Sequence, residues 1–278
     1  MRLSAAIAAA AVLLLAAPAA AQPDASRILM GALEQAHQNI PAEVQDFVVI
    51  IASGSVRVRL YVHRGDDGWT IAEEEDAPLA DAFQGMLIGP GLAEQFRPAE
   101  TTLPLGMRET RYVGADSVEG RAAHVLMSRV PGLTVETMPI RDLARVTVDA
   151  ETRQVLRIAS STDHEPSPGG AMANGGHLDM EMTYGGYESI NGITLPRRMR
   201  MVLRMQVNLG DEQRAAIRDE MRTILQGMAA DTSQDAAQTR MLIGMFLRML
   251  DGEAMEIPGT IEDVQVNTGR PEWAGEDG

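Results

Sequence analysis

The sequence predicts an α+β protein in which a curved antiparallel sheet is covered on its concave face by helices. Segments in which apolar and polar side chains alternate recur between short turn sequences, as in neighbouring antiparallel strands. After residue 210 the apolar residues instead recur every three or four positions, which is typical of amphipathic helices. Few connections are long enough for a crossover, so most strands are expected to pair with their sequence neighbours.

The clearest strand pattern lies in residues 177–209. Turn signals occur at Gly185-Gly186 and at Asn191-Gly192, which predicts two strands with a kinked connection. Successive strand side chains point to opposite faces, so one face of this pair is apolar and the other is charged. The apolar positions are Leu178, Met180, Met182, Tyr184, Met199, Met201, Leu203, Met205, Val207 and Leu209.

The charged face of this strand pair favours one register. Asp179 and Glu181 can pair with Arg200 and Arg204 across the two strands. A slip by one residue would move the apolar side chains to the charged face. Exposed ion pairs contribute only about 0.2–1 kcal/mol each. The apolar face needs a cover, and whether this is core, a lid helix or a ligand determines the function.

The remaining elements follow from the same patterns. A helix is predicted over residues 24–38, with Asp24 as its cap and Pro41 after its end. Residues 211–250 are expected to form a hairpin of two helices, since apolar stripes lie on both sides of residues 231–232. Further strands are predicted over 44–51, 56–63, 69–73, 107–114, 120–130, 143–149, 154–161 and 259–267.

A segment between the early strands has a helical pattern with interruptions. Phe83, Met86 and Leu87 share one face, and Gly89-Pro90-Gly91 breaks the segment. An apolar, jointed helix pair between strands is typical of a lid, whereas an ordinary packed connection would have the same pattern.

The N-terminus has the features of a secretory signal peptide over residues 1–21. It has a basic start at Arg2, an uncharged run over 5–17, and small residues up to Ala21. A retained anchor is the less favoured alternative, because the run is short and rich in alanine. No later segment is long enough to span a membrane. A single domain is expected over residues 22–270, followed by a flexible tail over 271–278.

Composition excludes several classes of partner. The formal net charge is −15, from 39 acidic and 24 basic residues, which argues against nucleic acid and anionic membrane surfaces as partners. There is no cysteine, so neither a disulfide nor a lipidated N-terminal cysteine is available. The fold must therefore be stabilised by its hydrophobic core.

Four motifs in order carry a family resemblance. They are Gly114-x5-Gly120-Arg121-x-Ala123-x-Val125-Leu126, Val148-Asp149-x-Glu151-Thr152-x2-Val155-Leu156-Arg157, Tyr187-x3-Asn191-Gly192-Ile193-x-Leu195-Pro196-x-Arg198 and Ile261-x2-Val264-x-Val266-Asn267. This succession resembles the periplasmic outer-membrane lipoprotein-sorting superfamily (LolA/LolB-like) and covers most of residues 24–267. The resemblance implies an antiparallel half-barrel closed by helices over an apolar cavity for acyl chains. It also implies a periplasmic location, with no enzymatic centre, cofactor or metal.

Methionine is abundant, with 18 residues against 4 Phe, 4 Tyr and 2 Trp. Its unbranched side chain adapts to ligands of varied shape, so methionine-rich faces suit variable ligands. The same side chains could simply fill the core. Thioether copper binding is disfavoured, because the methionines alternate within strands and helices and do not crowd in a loop. The predicted cavity-lining residues are Met180, Met182, Tyr184, Met199, Met201, Leu203, Met205, Phe83, Met86, Leu87, Met241 and Met245.

Catalytic and metal signatures are absent from the sequence. The five histidines have no metal-ligand spacing, there is no G-x-S-x-G motif, and His164 and His177 are expected to be solvated beside a loop. The prediction is therefore a non-enzymatic carrier of lipid or lipoprotein acyl chains. The alternative is a regulatory module that docks a protein partner through residues 211–250, a hairpin additional to the shortest carriers.

Overall fold

Ten strands form one open antiparallel sheet in the computed structural model, which describes residues 23–54, 56–65, 68–73, 110–128, 134–135, 138–139, 144–164, 175–231 and 233–274. The strands are β1 (Asp46–Ser53), β2 (Val56–Gly65), β3 (Gly68–Glu73), β4 (Arg111–Val118), β5 (Arg121–Ser128), β8 (Ala144–Asp149), β9 (Val155–His164), β10 (Gly176–Ile190), β11 (Ile193–Val207) and β12 (Met255–Val266). Two short strands, β6 (Thr134–Val135) and β7 (Met138–Pro139), pair only with each other.

The order across the sheet is β3-β2-β1-β12-β11-β10-β9-β8-β5-β4. Most neighbours are joined by hairpins, and β12 returns from the C-terminal end to lie between β1 and β11. Bulges interrupt the pairing at Ile50/Ile51, Tyr112/Gly114 and Thr147/Val148. A bulge bends its strand and increases the local twist, so these irregularities contribute to the curvature of the sheet. The predicted fold class is confirmed.

The hairpin between β10 and β11 confirms one predicted turn and corrects the other. Asn191 and Gly192 make the turn with φ of 50° and 89°, as a two-residue hairpin loop requires. The chain does not turn at Gly185-Gly186: β10 passes through both residues, and only Gly186, with φ of 64°, leaves a gap in the strand pairing. The prediction of a turn there was wrong, because pairing with β11 continues beyond it.

The polar face of this hairpin has the predicted register but a different ion pair. Asp179 lies opposite Arg204, as expected. Arg200 instead pairs with Glu256 on β12, through contacts of 2.6 Å from Nε and 2.9 Å from Nη2. A bidentate pair of this kind is stronger than a single contact, and the partner lies on the other neighbouring strand.

Three helices accompany the sheet in the described part of the chain: α1 (Ala25–Gln38), α2 (Asp211–Gly227) and α3 (Gln234–Leu250). Asp24 caps α1 by accepting hydrogen bonds from the amides of Ser26 and Arg27 at 3.0 and 3.3 Å, as predicted. Helix α1 packs over β4, β5 and β8, whereas α3 packs over β11 and β12. Their apolar side chains join one core cluster with the same face of the sheet, so both helices cover that face.

The opposite face carries a small separate core near the C-terminus. Ala274 and Trp273, in a single 3₁₀ turn (Glu272–Ala274), pack against Val48 and Tyr61. The Arg59 guanidinium lies 5.3 Å from the Trp273 ring centroid, a cation–π arrangement. The segment expected to be a flexible tail therefore includes a packed turn.

Several predictions fall outside the described residues. These are the signal peptide over 1–21 and the interrupted helical segment with Phe83, Met86 and Leu87. Within the ranges described above, none of the helices has the length and apolar character needed to cross a bilayer.

Candidate ligand-binding site

The apolar side of β10 and β11 is a continuous patch of paired side chains, here called the methionine face. Met182 lies opposite Met201, and Tyr184 lies opposite Met199. The patch continues into the neighbouring strands, because Ile158 of β9 is also opposite Met182. Every member is buried, with exposed fractions of 1–9%. The methionine face consists of Leu178, Met180, Met182, Tyr184, Met199, Met201, Leu203 and Met205.

The helical cover over this part of the sheet has two layers. Met245 and Met249 of α3 are partly buried and pack against the core that contains the methionine face. Helix α2 packs against α3, and none of its 17 residues is buried. An ion pair between Arg218 and Asp251 joins α2 to the end of α3. Helix α2 is thus an outer layer that contributes little to the core.

Two tyrosine hydroxyls near the methionine face differ in their partners. The Tyr184 hydroxyl is buried and donates to the sulfur of Met182 at 3.5 Å, although a thioether is a weak acceptor. The Tyr187 hydroxyl donates to the carbonyl oxygen of Val155 at 2.7 Å. Burial raises the pKa of both hydroxyls well above the ordinary value, so both remain hydrogen-bond donors. Tyr184 is the polar group in this apolar surface that lacks a strong partner.

The structure brings together most of the predicted cavity-lining residues. Seven of them lie on the methionine face, and Met245 approaches the same core from α3. The side chain of Met241 in α3 lies outside the described part, as do Phe83, Met86 and Leu87. That these residues bind a ligand remains a prediction.

A cleft of about 510 Å³ lies between α1 and the β5 and β8 strands. His124 of β5 and Val148 of β8 are register partners at its base, and its lining includes Arg27 on α1 and Arg153 on the turn after β8. This cleft was not predicted from the sequence, because no local pattern connects α1 with that turn. The full lining is Pro23, Asp24, Arg27, Ile28, Met30, Gly31, Glu34, His124, Val148, Asp149, Ala150 and Arg153.

The turn beside this cleft is fixed by Asp149. Its carboxylate accepts hydrogen bonds from the amides of Glu151 and Thr152 at 3.0 and 2.6 Å and from the Thr152 hydroxyl at 2.9 Å. It also pairs with Arg121 at 2.8 Å. Burial opposes ionisation, but these hydrogen bonds and the arginine outweigh it and lower the pKa of Asp149. Asp149 is therefore an ionised, fully engaged structural group.

A second cleft, of about 450 Å³, lies on the charged face of the sheet. Asp179 and Arg204, opposite each other in the β10–β11 register, both line it. Its lining is Met127, Arg145, Ala159, Ser160, Ser161, Asp179, Met180, Glu181, Val202 and Arg204.

At one end of this second cleft, a histidine has three polar neighbours. His177 Nδ1 lies 2.7 Å from Asp163, and Nε2 lies 3.0 Å from the Ser161 hydroxyl and 3.1 Å from Asp179. The hydrogen bond with Asp163, together with Asp179, raises the pKa of His177 despite some desolvation. A protonated imidazole donates from both nitrogens and cannot accept a proton from Ser161. The arrangement differs from a Ser-His-Asp triad in that Asp179 shares Nε2 with Ser161, whereas the triad base has only the serine hydroxyl at that nitrogen. The His177 side chain is 33% exposed, so it is partly solvated as expected.

Metal binding has no support from the described residues. Within the ranges that the structure describes, no group of three or more His, Cys, Asp or Glu side chains is placed to hold a metal ion.

Comparisons with known proteins give similarities of fold. No protein-family model matches the chain, and no curated protein matches it. Among solved structures, the chain is similar to the LolA superfamily protein NE2245 from Nitrosomonas europaea, at 11% identity and a TM-score of 0.40, over 92% of this chain and 99% of that one. A Vibrio parahaemolyticus domain described as an outer membrane lipoprotein-sorting protein has 11% identity and a TM-score of 0.42, over 89% and 94% of the two chains.

A DUF1329 family protein from Desulfovibrio piger is similar at 11% identity and a TM-score of 0.36, over 89% of this chain and 95% of that one. Two of these three structures carry the name of the superfamily that the sequence motifs resemble. At these values the similarities say nothing about the ligand, which has to be inferred from the residues of this chain.

Proposed function

We propose that the chain is a periplasmic carrier that holds a lipid or lipoprotein acyl chain between the methionine face and the helices that cover it. The observation that supports this most is the methionine face itself. Five of its eight residues are methionines, all on one side of two paired strands. Methionine side chains repack readily around flexible apolar ligands, which rigid branched side chains do less well.

The helical cover is suited to opening. Helix α2 has no buried residue, and the side chains with which α3 meets the core, Met245 and Met249, are only partly buried. Moving α2 and α3 away from the sheet would expose three buried side chains of α3, Ala236, Ile243 and Leu250, whereas separating paired strands would break a ladder of hydrogen bonds. Segments with few buried contacts open at a lower free-energy cost than the core. An acyl chain would enter beneath α3 and replace its contacts with the methionine face.

Tyr184 adds a polar contact to this surface. Its hydroxyl has only a thioether as acceptor, so an ester or amide oxygen of an acylated ligand would be a better partner. Ligand sites are commonly apolar surfaces with a small number of such polar groups.

Chain-length dependence of binding tests the proposal. Each buried methylene contributes about 0.8 kcal/mol, so two further carbons should tighten binding by roughly tenfold until the site is full. We expect this progression for decanol, dodecanol and tetradecanol in isothermal titration calorimetry. Affinities that do not depend on chain length would contradict the proposal.

Two tryptophan variants locate the site. Met245→Trp adds bulk beneath α3 and should weaken dodecanol binding, whereas Ile224→Trp adds the same ring to α2, where Ile224 is 39% exposed. Circular dichroism establishes that both variants keep the fold. Equal binding by the two variants would place the alcohol elsewhere.

The exposed side of α2 supports a second candidate, a docking surface for a protein partner. Ile224 is one of the large apolar side chains exposed in the described part of the chain. Met221 and Leu225 beside it on α2 are partly exposed, and contiguous apolar surface of this kind marks interaction sites. In-cell cross-linking with the wild type and with Ile224→Asp tests this. A partner that is lost in the variant while dodecanol still binds would support docking in addition to acyl binding, and identical cross-links would argue against it.

A further inference from the structure

We propose that the cleft between α1 and the β5 and β8 strands is the site for the anionic head group, carboxylate or phosphate, of the amphiphile whose chain the methionine face holds. The inference rests on the proposed acyl-binding function and specifies the chemical class of its ligand.

Two arginines approach the same part of this cleft. An added Cβ at Gly31 would lie 3.0 Å from Cδ and 3.3 Å from Nη1 of Arg153, so the Arg153 side chain lies directly against α1 at this glycine. Arg27 also lines the cleft, and it precedes Gly31 by four residues. Positions i and i+4 are neighbours on a helix surface, so both guanidinium groups lie on one side of α1.

These arginines have no ion-pair partner among the described residues, although acidic residues outnumber basic ones by 39 to 24 in this chain. The three carboxylates that line the cleft form no ion pair with either arginine. Asp24 accepts from the amides of the first turn of α1, and Asp149 is paired with Arg121. Glu34 lies seven residues beyond Arg27, about 10 Å along the helix axis at 1.5 Å per residue. It is three residues beyond Gly31, on the side of α1 that Arg153 contacts.

His124 provides an independent indication of a ligand. Its Nδ1 is buried and has no hydrogen-bond partner in the part of the chain that the structure describes. A buried polar atom without a partner is costly, and His124 lines the cleft, so a polar ligand that reached Nδ1 from there would remove this cost. A neutral imidazole with the proton on Nδ1 can donate to an anionic oxygen there, as can the protonated form.

The cleft belongs to the same face of the sheet as the methionine face. His124 and Leu126 are two residues apart on β5, so their side chains point to the same face of the sheet. Leu126 lies opposite Val146, Val146 lies opposite Ile158, and Ile158 lies opposite Met182, so this face continues to the methionine face. The distance from β5 to β10 is three strand spacings, or about 14 Å at about 4.8 Å each. A long acyl chain can cover this distance, with its head at α1 and its tail beneath α3.

The test compares amphiphiles that share a chain and differ in the head group. Dodecanoate, dodecyl phosphate and dodecanol are titrated into the wild-type protein at low ionic strength, with inorganic phosphate as the probe that lacks a chain. We expect the two anions to bind about tenfold more tightly than the alcohol, as charge-assisted hydrogen bonds from arginine predict. High salt should reduce this preference.

Arginine variants locate the anion. Arg27→Gln and Arg153→Gln combined should bring dodecanoate to the affinity of dodecanol and leave dodecanol binding unchanged. Arg222→Gln is the matched control, because Arg222 is an exposed arginine of α2, 66% accessible at its side chain. Equal affinity of the wild type for dodecanoate and dodecanol would overturn the inference. A preference for dodecanoate that survives the double substitution would also overturn it.

The design also separates this inference from the proposed function. If neither dodecanol nor dodecanoate binds, the acyl-carrier function fails. The binding of inorganic phosphate then tests whether the cleft is an anion site. Phosphate binding that is lost in the Arg27 and Arg153 double variant would retain an anion site there. If phosphate does not bind, or if it binds the double variant as well as the wild type, the anion site in the cleft is overturned as well.

Discussion

Tyr184 and Tyr187 provide a matched pair of substitutions that tests the packing of the candidate site. Each change to phenylalanine removes one hydroxyl oxygen and keeps the ring. The Tyr187 hydroxyl donates to the carbonyl of Val155 at 2.7 Å, whereas the Tyr184 hydroxyl donates only to the sulfur of Met182 at 3.5 Å. The two variants should therefore differ in stability, although both remove the same group.

The magnitudes follow from these contacts. Tyr187→Phe should lower the free energy of unfolding by about 1–2 kcal/mol, because a hydrogen bond is lost and a carbonyl is left unpaired. Tyr184→Phe should change it by less than about 0.5 kcal/mol or increase it, because a poorly satisfied buried hydroxyl is removed. If Tyr184 contacts an acyl ester, Tyr184→Phe should also weaken the binding of methyl dodecanoate severalfold.

Urea unfolding followed by circular dichroism measures both free energies, and unchanged m-values confirm that the unfolding transitions are comparable. The reasoning would be refuted if Tyr184→Phe were the more destabilising of the two variants. Such a result would mean that the Tyr184 hydroxyl has a strong partner and is not available to a ligand.

Three further predictions concern stability and pH. Met182 is 1% exposed, so Met182→Ala should destabilise the protein by about 2–5 kcal/mol in urea unfolding. Val113 is 47% exposed, so Val113→Ala should remain within about 0.5 kcal/mol of the wild type. Equal effects of the two substitutions would mean that the methionine face is not packed. Asp149→Ala should lower the free energy of unfolding by about 2–4 kcal/mol. Because the folded-state pKa of Asp149 is lowered, this loss of stability should be full at neutral pH and shrink as pH falls through that pKa. If thermal melts show a loss that does not vary with pH, Asp149 is not the ionised structural group described above. The pKa of His177 is raised in the folded state, so the stabilisation that His177→Gln removes should be full below about pH 6.5 and disappear as pH rises through the raised pKa. NMR titration of the imidazole measures that pKa directly, and a value at or below the ordinary one would contradict this prediction.

The sheet could be predicted largely because its signals are local. Alternation of apolar and polar residues defined β10 and β11, and Asn191-Gly192 supplied the turn between them. The two-glycine signal at Gly185-Gly186 misled, because glycine permits a turn but does not require one when the partner strand continues to pair. Gly186 uses its conformational freedom, with φ of 64°, for an irregularity within the strand.

Contacts between distant segments were beyond prediction. Arg200 pairs with Glu256 of β12, 56 residues away, in preference to the carboxylates on β10. The α1 cleft requires that the turn with Arg153 meet Gly31, on a helix more than a hundred residues earlier in the chain. Periodicity and turn chemistry describe neighbours in sequence, so they do not contain information about such contacts.

The position of a bound chain is the most direct test of the central claim. A fatty acid with a diazirine at its terminal carbon, photolysed in the presence of the protein, labels the residues nearest the tail, and mass spectrometry of the peptides identifies them. The proposal predicts labels on Met180, Met182, Met199 and Met201 of the methionine face and on Met245 of α3. Labels only on the charged face of the sheet, or only on α2, would contradict an acyl site between the methionine face and its helical cover.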